Sequence, residues 1–247
     1  MMKPLKIIFM GTLLAACFLL SGTPVLADFR DLLKGVDKAL QSGGGGLSED
    51  KIVQGLKEAL EIGSNNAVGL VSKVDGYYRN STIRIPLPGP VKKVENILRG
   101  VGYGSQVDAF EESMNRAAEK AAPEAKNLFW DTIRGMNFED ARKILKGRDN
   151  EATLYFKEKT WDRLAQAFKP LVHGAMSGVG VTRQYQDLET KVKGLPFGSG
   201  FGLDLDQYVT EGALDGLFFM LQEEERKIRQ NPAARVTDLL KEVFGNP

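Results

Sequence analysis

The side chains that could carry catalysis or bind a metal are few in this chain of 247 residues. His173 is the only histidine and Cys17 is the only cysteine. A zinc site needs several histidine or cysteine ligands, and a nucleophilic triad needs a histidine beside a serine or a thiol. Ser177, close to His173, lies one place off the G-x-S-x-G spacing and follows a helix rather than a strand. We therefore predict no triad, no metal site and no cofactor.

Charged side chains offer a second kind of chemistry. Glu112, Arg116 and Glu119 are four and three residues apart, so they share one helix face, with Asn115 beside them. Exposed pairs of this kind contribute only about 0.2–0.5 kcal/mol each. Enzymes that cleave glycans also use pairs of acidic side chains. The alternative is therefore a carboxylate-dependent hydrolase that acts on cell-wall or glycan material, with Glu112 as its acid.

The region from 205 to 230 has the pattern of one long helix. Glu224 falls inside its apolar face, either near the frayed end of that face or as the buried partner of an arginine such as Arg235 or Arg116. Gly212 and Gly216 predict the close approach of another helix, and the charged run 223–229 predicts a solvated face. The predicted structural polar cluster comprises Glu112, Asn115, Arg116, Glu119, Glu224 and Arg235.

A basic segment lies between Tyr77 and Gly104. It holds five basic residues and three tyrosines but a single acid, Glu95. Such a patch suits anionic lipid head groups or wall polymers, although ordinary surface solubility explains it equally well. The predicted ligand-binding residues are Arg79, Arg84, Lys92, Lys93 and Arg99.

The elements that position these residues are helices, because apolar residues recur every three or four positions and almost no stretch alternates. The exception is the proline-rich segment 83–90, which must run extended before Val91 starts a helix. We predict an all-α, irregular multi-helix bundle with one extended segment. Beyond the helices that start after Ser48 and at Val91, the predicted helices are 105–122, 123–135, 138–146, 150–176, 181–193, 205–230 and 233–244.

The first 27 residues have the pattern of an export signal. Lys3 and Lys6 precede an apolar stretch that ends at a small-residue cleavage site, residues 25–27. As a helix that stretch measures about 21 Å, short of the roughly 30 Å hydrocarbon core of a membrane. We predict a signal peptide over 1–27 and a periplasmic protein. The alternative is a lipoprotein anchored to the membrane through Cys17, because residues 14–17 resemble a lipobox.

The remaining chain divides into three parts. Residues 28–42 predict an amphipathic helix, 43–46 are four glycines that form a flexible tether, and 47–247 form the helical domain. Without Lys3 and Lys6 the chain carries 31 basic and 32 acidic residues. This balance gives no general attraction to nucleic acid, and membrane association is expected only if Cys17 is lipidated.

Several stretches together resemble a bacterial family known as domain of unknown function 4197, whose members are exported or lipid-anchored. The resemblance spans about residues 47–245 and implies a helical envelope domain without an assigned activity or catalytic residue. The matching stretches are IRIPLPGPVKKVE (83–95), ESMNRAAEKAAPEAK (112–126), MNFEDARKIL (136–145), VTRQYQDL (181–188), DLDQYVTEGALDGLFFMLQEEE (204–225) and IRQNPAARVTDLLKEVFG (228–245).

These observations favour a non-enzymatic envelope protein. We expect it to bind an apolar or anionic small molecule between its helices, or to bind or assemble with another envelope protein. The hydrolase stays the alternative, and two acids that face one open cleft would favour it.

Overall fold

The computed structural model describes residues 49–178, 181–193 and 203–230. The predicted leader, the helix 28–42, the glycine tether and the helix 233–244 lie outside the described residues. So do Cys17 and Arg235.

The described residues form helices and no β-strand, so the predicted all-α fold is confirmed. A 3₁₀ turn, Ala122–Glu124, joins the third and fourth helices. Within the described ranges, no helix is both long and apolar enough to cross a membrane. The helices are α1 Glu49–Val71, α2 Gly89–Gly100, α3 Gly104–Ala121, α4 Ala125–Arg134, α5 Phe138–Lys146, α6 Glu151–Gly178, α7 Val181–Lys193 and α8 Leu205–Gln230.

Helix α8 lies at the centre of the bundle. It packs along α6 on one side and α1 on another, and α3 contacts both α6 and α8. Phe129, Phe156 and Phe218 meet edge to face at this centre, with centroid distances of 5.1 and 5.9 Å. Each large apolar side chain buried here contributes roughly 1.5–3 kcal/mol.

Residues next to the helix start explain where α5 and α2 begin. Asn137 accepts the backbone N–H of Asp140 at 2.8 Å, and Asp140 accepts that of Asn137 at 3.2 Å, which forms a capping box for α5. Helix α2 begins at Gly89, two residues before the predicted Val91. Pro88 holds the extended backbone that precedes it, and Pro90 fits the first turn because that position needs no N–H donor.

Residues 72–88, the strap, connect α1 to α2. Its first half is a series of turns in which Asp75 adopts a φ of 68°. Its second half, 84–88, has neither helix nor strand, as Pro86, Pro88 and Pro90 require. Burial alternates from residue 83 to residue 87: Ile83, Ile85 and Leu87 are buried, while Arg84 and Pro86 are exposed. One face of the strap is therefore part of the core.

Candidate functional site

The strap is held from one side by Asn115 of α3. Its Oδ1 accepts the N–H of Ile85 at 2.8 Å, and its Nδ2 donates to the carbonyl of Ile85 at 2.9 Å. Nδ2 also donates to the carbonyl of Glu111 at 2.8 Å. Asn115 is fully buried, so these bonds satisfy groups that water does not reach.

One turn further along α3, Glu119 holds the turns of the strap. Its Oε1 accepts the backbone N–H groups of Tyr77 and Tyr78 at 3.1 and 3.2 Å, and its Oε2 accepts from Nη1 of Arg116 at 2.9 Å. Only 4% of Glu119 is exposed. A buried carboxylate needs such donors, because an unpaired one would cost several kcal/mol.

Arg116 joins this buried group to the surface. Its Nη2 donates to Asp75 at 2.7 Å and to Glu112 at 3.0 Å, and its guanidinium lies 5.4 Å from the ring centroid of Tyr78. Partial burial opposes its charged form, but hydrogen bonds to Glu119, Asp75 and Glu112 outweigh that effect and raise the pKa of Arg116. The structure thus brings together four residues of the predicted polar cluster, Glu112, Asn115, Arg116 and Glu119, and adds Asp75.

On its other side the strap lies against α8. The hydroxyl of Tyr77 donates to the carbonyl of Ala213 at 2.6 Å, and burial, reinforced by the charge of Glu119, raises the pKa of Tyr77. Gly212 and Gly216 admit the strap: a Cβ on Gly216 would lie 2.6 Å from the ring of Tyr77, and one on Gly212 would lie 3.1 Å from Ile85. The prediction that these glycines admit another helix is wrong, because the strap occupies the space.

Most of the five predicted ligand-binding cations already have a carboxylate. Arg79 pairs with Asp75 at 3.2 Å, Arg84 with Glu111 at 2.7 Å, and Lys92 with Glu95 at 2.7 Å. Arg99 pairs with both Glu95 and Asp108, at 3.0 and 2.6 Å. Lys93 is exposed. The segment is therefore not a concentrated positive surface, since α3 supplies acids that the local sequence lacks.

The prediction for Glu224 needs correction. Its Oε1 accepts from Lys227 at 2.6 Å and its Oε2 accepts from Asn66 at 3.0 Å. Pairing with Arg116 is wrong, because Arg116 lies at the strap with three other carboxylates. Pairing with Arg235 concerns a residue outside the described ranges.

The prediction of a solvated face for the run 223–229 is wrong for Glu225 and Arg229. Glu225 and Arg229 are 7% and 5% exposed and pair with each other at 2.7 Å. Glu225 also accepts the N–H groups of Ala152 and Thr153, at 3.0 and 2.9 Å, and the hydroxyl of Thr153 at 2.8 Å. A carboxylate from α8 therefore caps the N-terminus of α6, where the helix dipole favours negative charge. Sequence reasoning missed this role because the capped residues are far away in the chain.

Two open grooves border the strap. The α8 groove, of about 320 Å³, lies between the second half of the strap and α8, and is lined by Thr82, Ile83, Arg84, Ile85, Pro86, Gly212, Asp215, Gly216 and Phe219. A second groove of about 380 Å³ lies along the first half, beside Leu70, Asp75, Arg79 and Met220. A cavity between α1, α5, α6 and α8 measures about 30 Å³, which is room for a single water molecule.

The hydrogen bonds of the cluster hold the strap and one another's charged side chains. Glu112 is bound by Nε and Nη2 of Arg116, at 3.3 and 3.0 Å. In the described ranges, no three histidine, cysteine or acidic side chains converge as a metal site would require. The polar groups of α3 thus position the strap, and the surface that they position is the α8 groove.

Comparison with known proteins confirms the family resemblance that the sequence stretches between residues 83 and 245 indicated. A family model described as "Protein of unknown function (DUF4197)" matches residues 46–245. No curated protein and no solved structure matches the chain. The family match covers both the strap and the helices that hold it, and the chain belongs to the DUF4197 family.

Proposed function

We propose that the protein is exported and acts in the cell envelope as a non-enzymatic module that binds or assembles with another envelope protein through the α8 groove. The leader supplies the export. The groove supplies the binding surface. Its position beside a strap that α3 and α8 hold by hydrogen bonds is the observation that carries the proposal.

The strap makes the groove a preformed surface. Asn115 and Glu119 bind its backbone from α3, and Tyr77 anchors it to Ala213 of α8. A surface that is already ordered loses little conformational entropy when a partner binds. Phe219, which is 39% exposed, offers an aromatic contact at the edge of this surface.

Two features favour a protein over a small molecule as the partner. The cavity between the helices is water-sized, whereas ligand pockets measure roughly 300–1,000 Å³ and enclose most of the ligand. The cations that would hold an anion are largely paired with carboxylates. An open groove with an exposed aromatic side chain suits a segment of another protein.

Site-specific photocrosslinking in living cells tests the proposal. A photoreactive amino acid at Thr82, on the exposed edge of the groove, is expected to form a discrete adduct with another protein. The matched control is Glu158, an exposed position on α6 that does not line the groove. The absence of an adduct at Thr82, or the same adducts at both positions, contradicts the proposal.

A further inference from the structure

The α8 groove has an apolar floor and an acidic border, and from this we infer the chemistry of its partner: an extended peptide segment that places an apolar side chain in the groove and a lysine or arginine beside Asp215 and Glu211. This inference rests on the proposed function and specifies the class of partner.

The acidic border comes from one exposed face of α8. Glu211, Asp215 and Phe219 follow at intervals of four residues, so they lie one above the other along the helix. All three are exposed, although most residues of α8 around them are buried. The helix therefore presents two acids and an aromatic ring in a line beside the strap.

Only one of these two acids pairs with a cation of the protein itself, in the part of the chain that the structure describes. Asp215 lies 3.4 Å from Nζ of Lys157, which also lies 4.4 Å from the ring centroid of Trp161. Glu211 accepts from the amide of Gln207 at 2.6 Å and has no cation within ion-pair distance among the described residues. Across the groove, Arg84 is paired with Glu111. The border is thus acidic on balance, and an incoming cation complements it.

The floor accepts an apolar side chain. Ile83 and Ile85 point into the core, while Pro86 and Phe219 are exposed at the edges of the groove. A volume of about 320 Å³ holds one or two side chains rather than a folded domain. Burial of one leucine or phenylalanine there removes apolar surface from water, which is how an anchor residue stabilises a complex.

The exposed edge of the strap does not support backbone pairing with the partner. Pro86 has no N–H, and its carbonyl accepts from the hydroxyl of Tyr208 at 3.0 Å. The N–H of Arg84 donates to the carbonyl of Asn80 at 2.8 Å. Addition of a strand to a sheet edge relies on such groups being free. Side chains, rather than a backbone ladder, must therefore provide the recognition.

Fluorescence anisotropy with two labelled probe peptides tests the inference on the full-length protein. One peptide alternates leucine and lysine, and the other alternates leucine and glutamate. We expect the leucine–lysine peptide to bind at least about tenfold more tightly at low ionic strength, with the difference shrinking as salt is added.

Matched variants locate the site. The double variant E211K/D215K should weaken binding of the leucine–lysine peptide about tenfold, because two attractions become repulsions. E158K/D162K, with the same spacing and charge change on the exposed face of α6, should leave it unchanged. Phe219→Ala should weaken binding about fivefold or more, and Leu171→Ala, at a similarly exposed leucine, should not.

Several outcomes would overturn the inference. These are no binding of the leucine–lysine peptide, equal binding of both peptides, or equal loss in the two charge-reversal variants. Light scattering adds another: a dimer that Phe219→Ala converts to monomer would make a second copy of the chain the occupant. A crosslinked partner at Thr82 without cationic segments would leave the proposed function standing and refute only its chemical class.

Discussion

Asn115 of α3 and Ile85 of the strap are joined by two hydrogen bonds, in which the amide side chain pairs with the N–H and the carbonyl of the same residue at 2.8 and 2.9 Å. The side chain thereby does what a neighbouring strand would do. The backbone N–H and carbonyl of Ile85 therefore have hydrogen-bond partners, although no strand within the described ranges lies beside this extended segment.

We expect the protein to lose considerable stability when the side chain of Asn115 is removed. Asn115→Ala should lower the free energy of unfolding by about 2 kcal/mol, because two buried backbone groups lose their partners. Urea unfolding followed by circular dichroism measures the change. The control Asn96→Ala, at an exposed position of α2, should change stability by less than about 0.5 kcal/mol. Equal effects would mean that Asn115 does not hold the strap.

Replacement of a helical glycine by alanine should have opposite effects on stability at Gly216, which contacts the strap, and at Gly69, which does not. Gly216→Ala should destabilise the protein by about 1–3 kcal/mol, because its Cβ would overlap the ring of Tyr77. Gly69→Ala, inside α1 with open space around the Cβ position, should stabilise it by about 0.5–1 kcal/mol through helix propensity. Thermal unfolding of both variants compares them. A neutral or stabilising Gly216→Ala would contradict the close packing.

We expect neutralisation of Glu225 to destabilise the protein more than neutralisation of its acidic neighbour Glu223. Glu225→Gln should lower the free energy of unfolding by about 3 kcal/mol, because the charge that caps α6 disappears and Arg229 stays buried. Glu223→Gln, at the more exposed acid two residues earlier, should cost about 0.5 kcal/mol or less.

A double-mutant cycle with Arg229→Met isolates the ion pair. The coupling energy between Glu225 and Arg229 should be about 1–3 kcal/mol. Additive effects of the two single changes would show that the pair contributes nothing beyond the cap.

Asp204 predicts part of the acid dependence of stability. The N–H of Gln207, and then Lys169, favour its carboxylate and lower its pKa. Between the folded and the ordinary pKa the unfolded state binds more protons, so stability rises with pH there and is fully present above the ordinary value. As pH falls through the folded pKa this contribution is lost.

The measurement is urea unfolding between about pH 3 and pH 6. Asp204→Asn should flatten the slope of stability against pH, by about 0.5 kcal/mol or less over the range because the side chain is mostly exposed. Asp162→Asn is the control on an exposed face of α6. An unchanged slope in Asp204→Asn would show that the bonds from Gln207 and Lys169 do not affect the proton balance.

The leader predicts processing of the chain. Intact mass spectrometry of protein from the periplasmic fraction should give a chain that begins at Asp28, and Cys17→Ala should leave this mass and the fraction unchanged. If Cys17→Ala instead releases the protein from the membrane, or prevents its processing, the lipoprotein alternative is correct.

Much of the helical pattern could be predicted from the sequence. The expected helices 138–146, 181–193 and 205–230 match α5, α7 and α8, because apolar periodicity and caps such as Asn137 are local signals. The break at the strap was also predictable, since prolines exclude the helix before them.

The ion partners of the candidate site were not predictable in the same way. Arg84 looked unpaired because its acid, Glu111, lies 27 residues further along the chain. Glu225 looked solvated because the helix that it caps begins 74 residues earlier, at Glu151. Charge, burial and pairing of such residues depend on which elements meet.

The sequence by itself determined what depends on neighbouring residues: helices from periodicity, an extended strap from proline, family membership from the residue pattern, and an export signal as a prediction. Only the tertiary structure decided what depends on distant residues. It placed the strap, rather than a helix, against Gly212 and Gly216, paired Arg84 and Arg99 of the basic segment with acids of α3, and opened the α8 groove. Local patterns record backbone preference and amphipathicity, whereas a groove and its charge arise only when separate elements pack side by side.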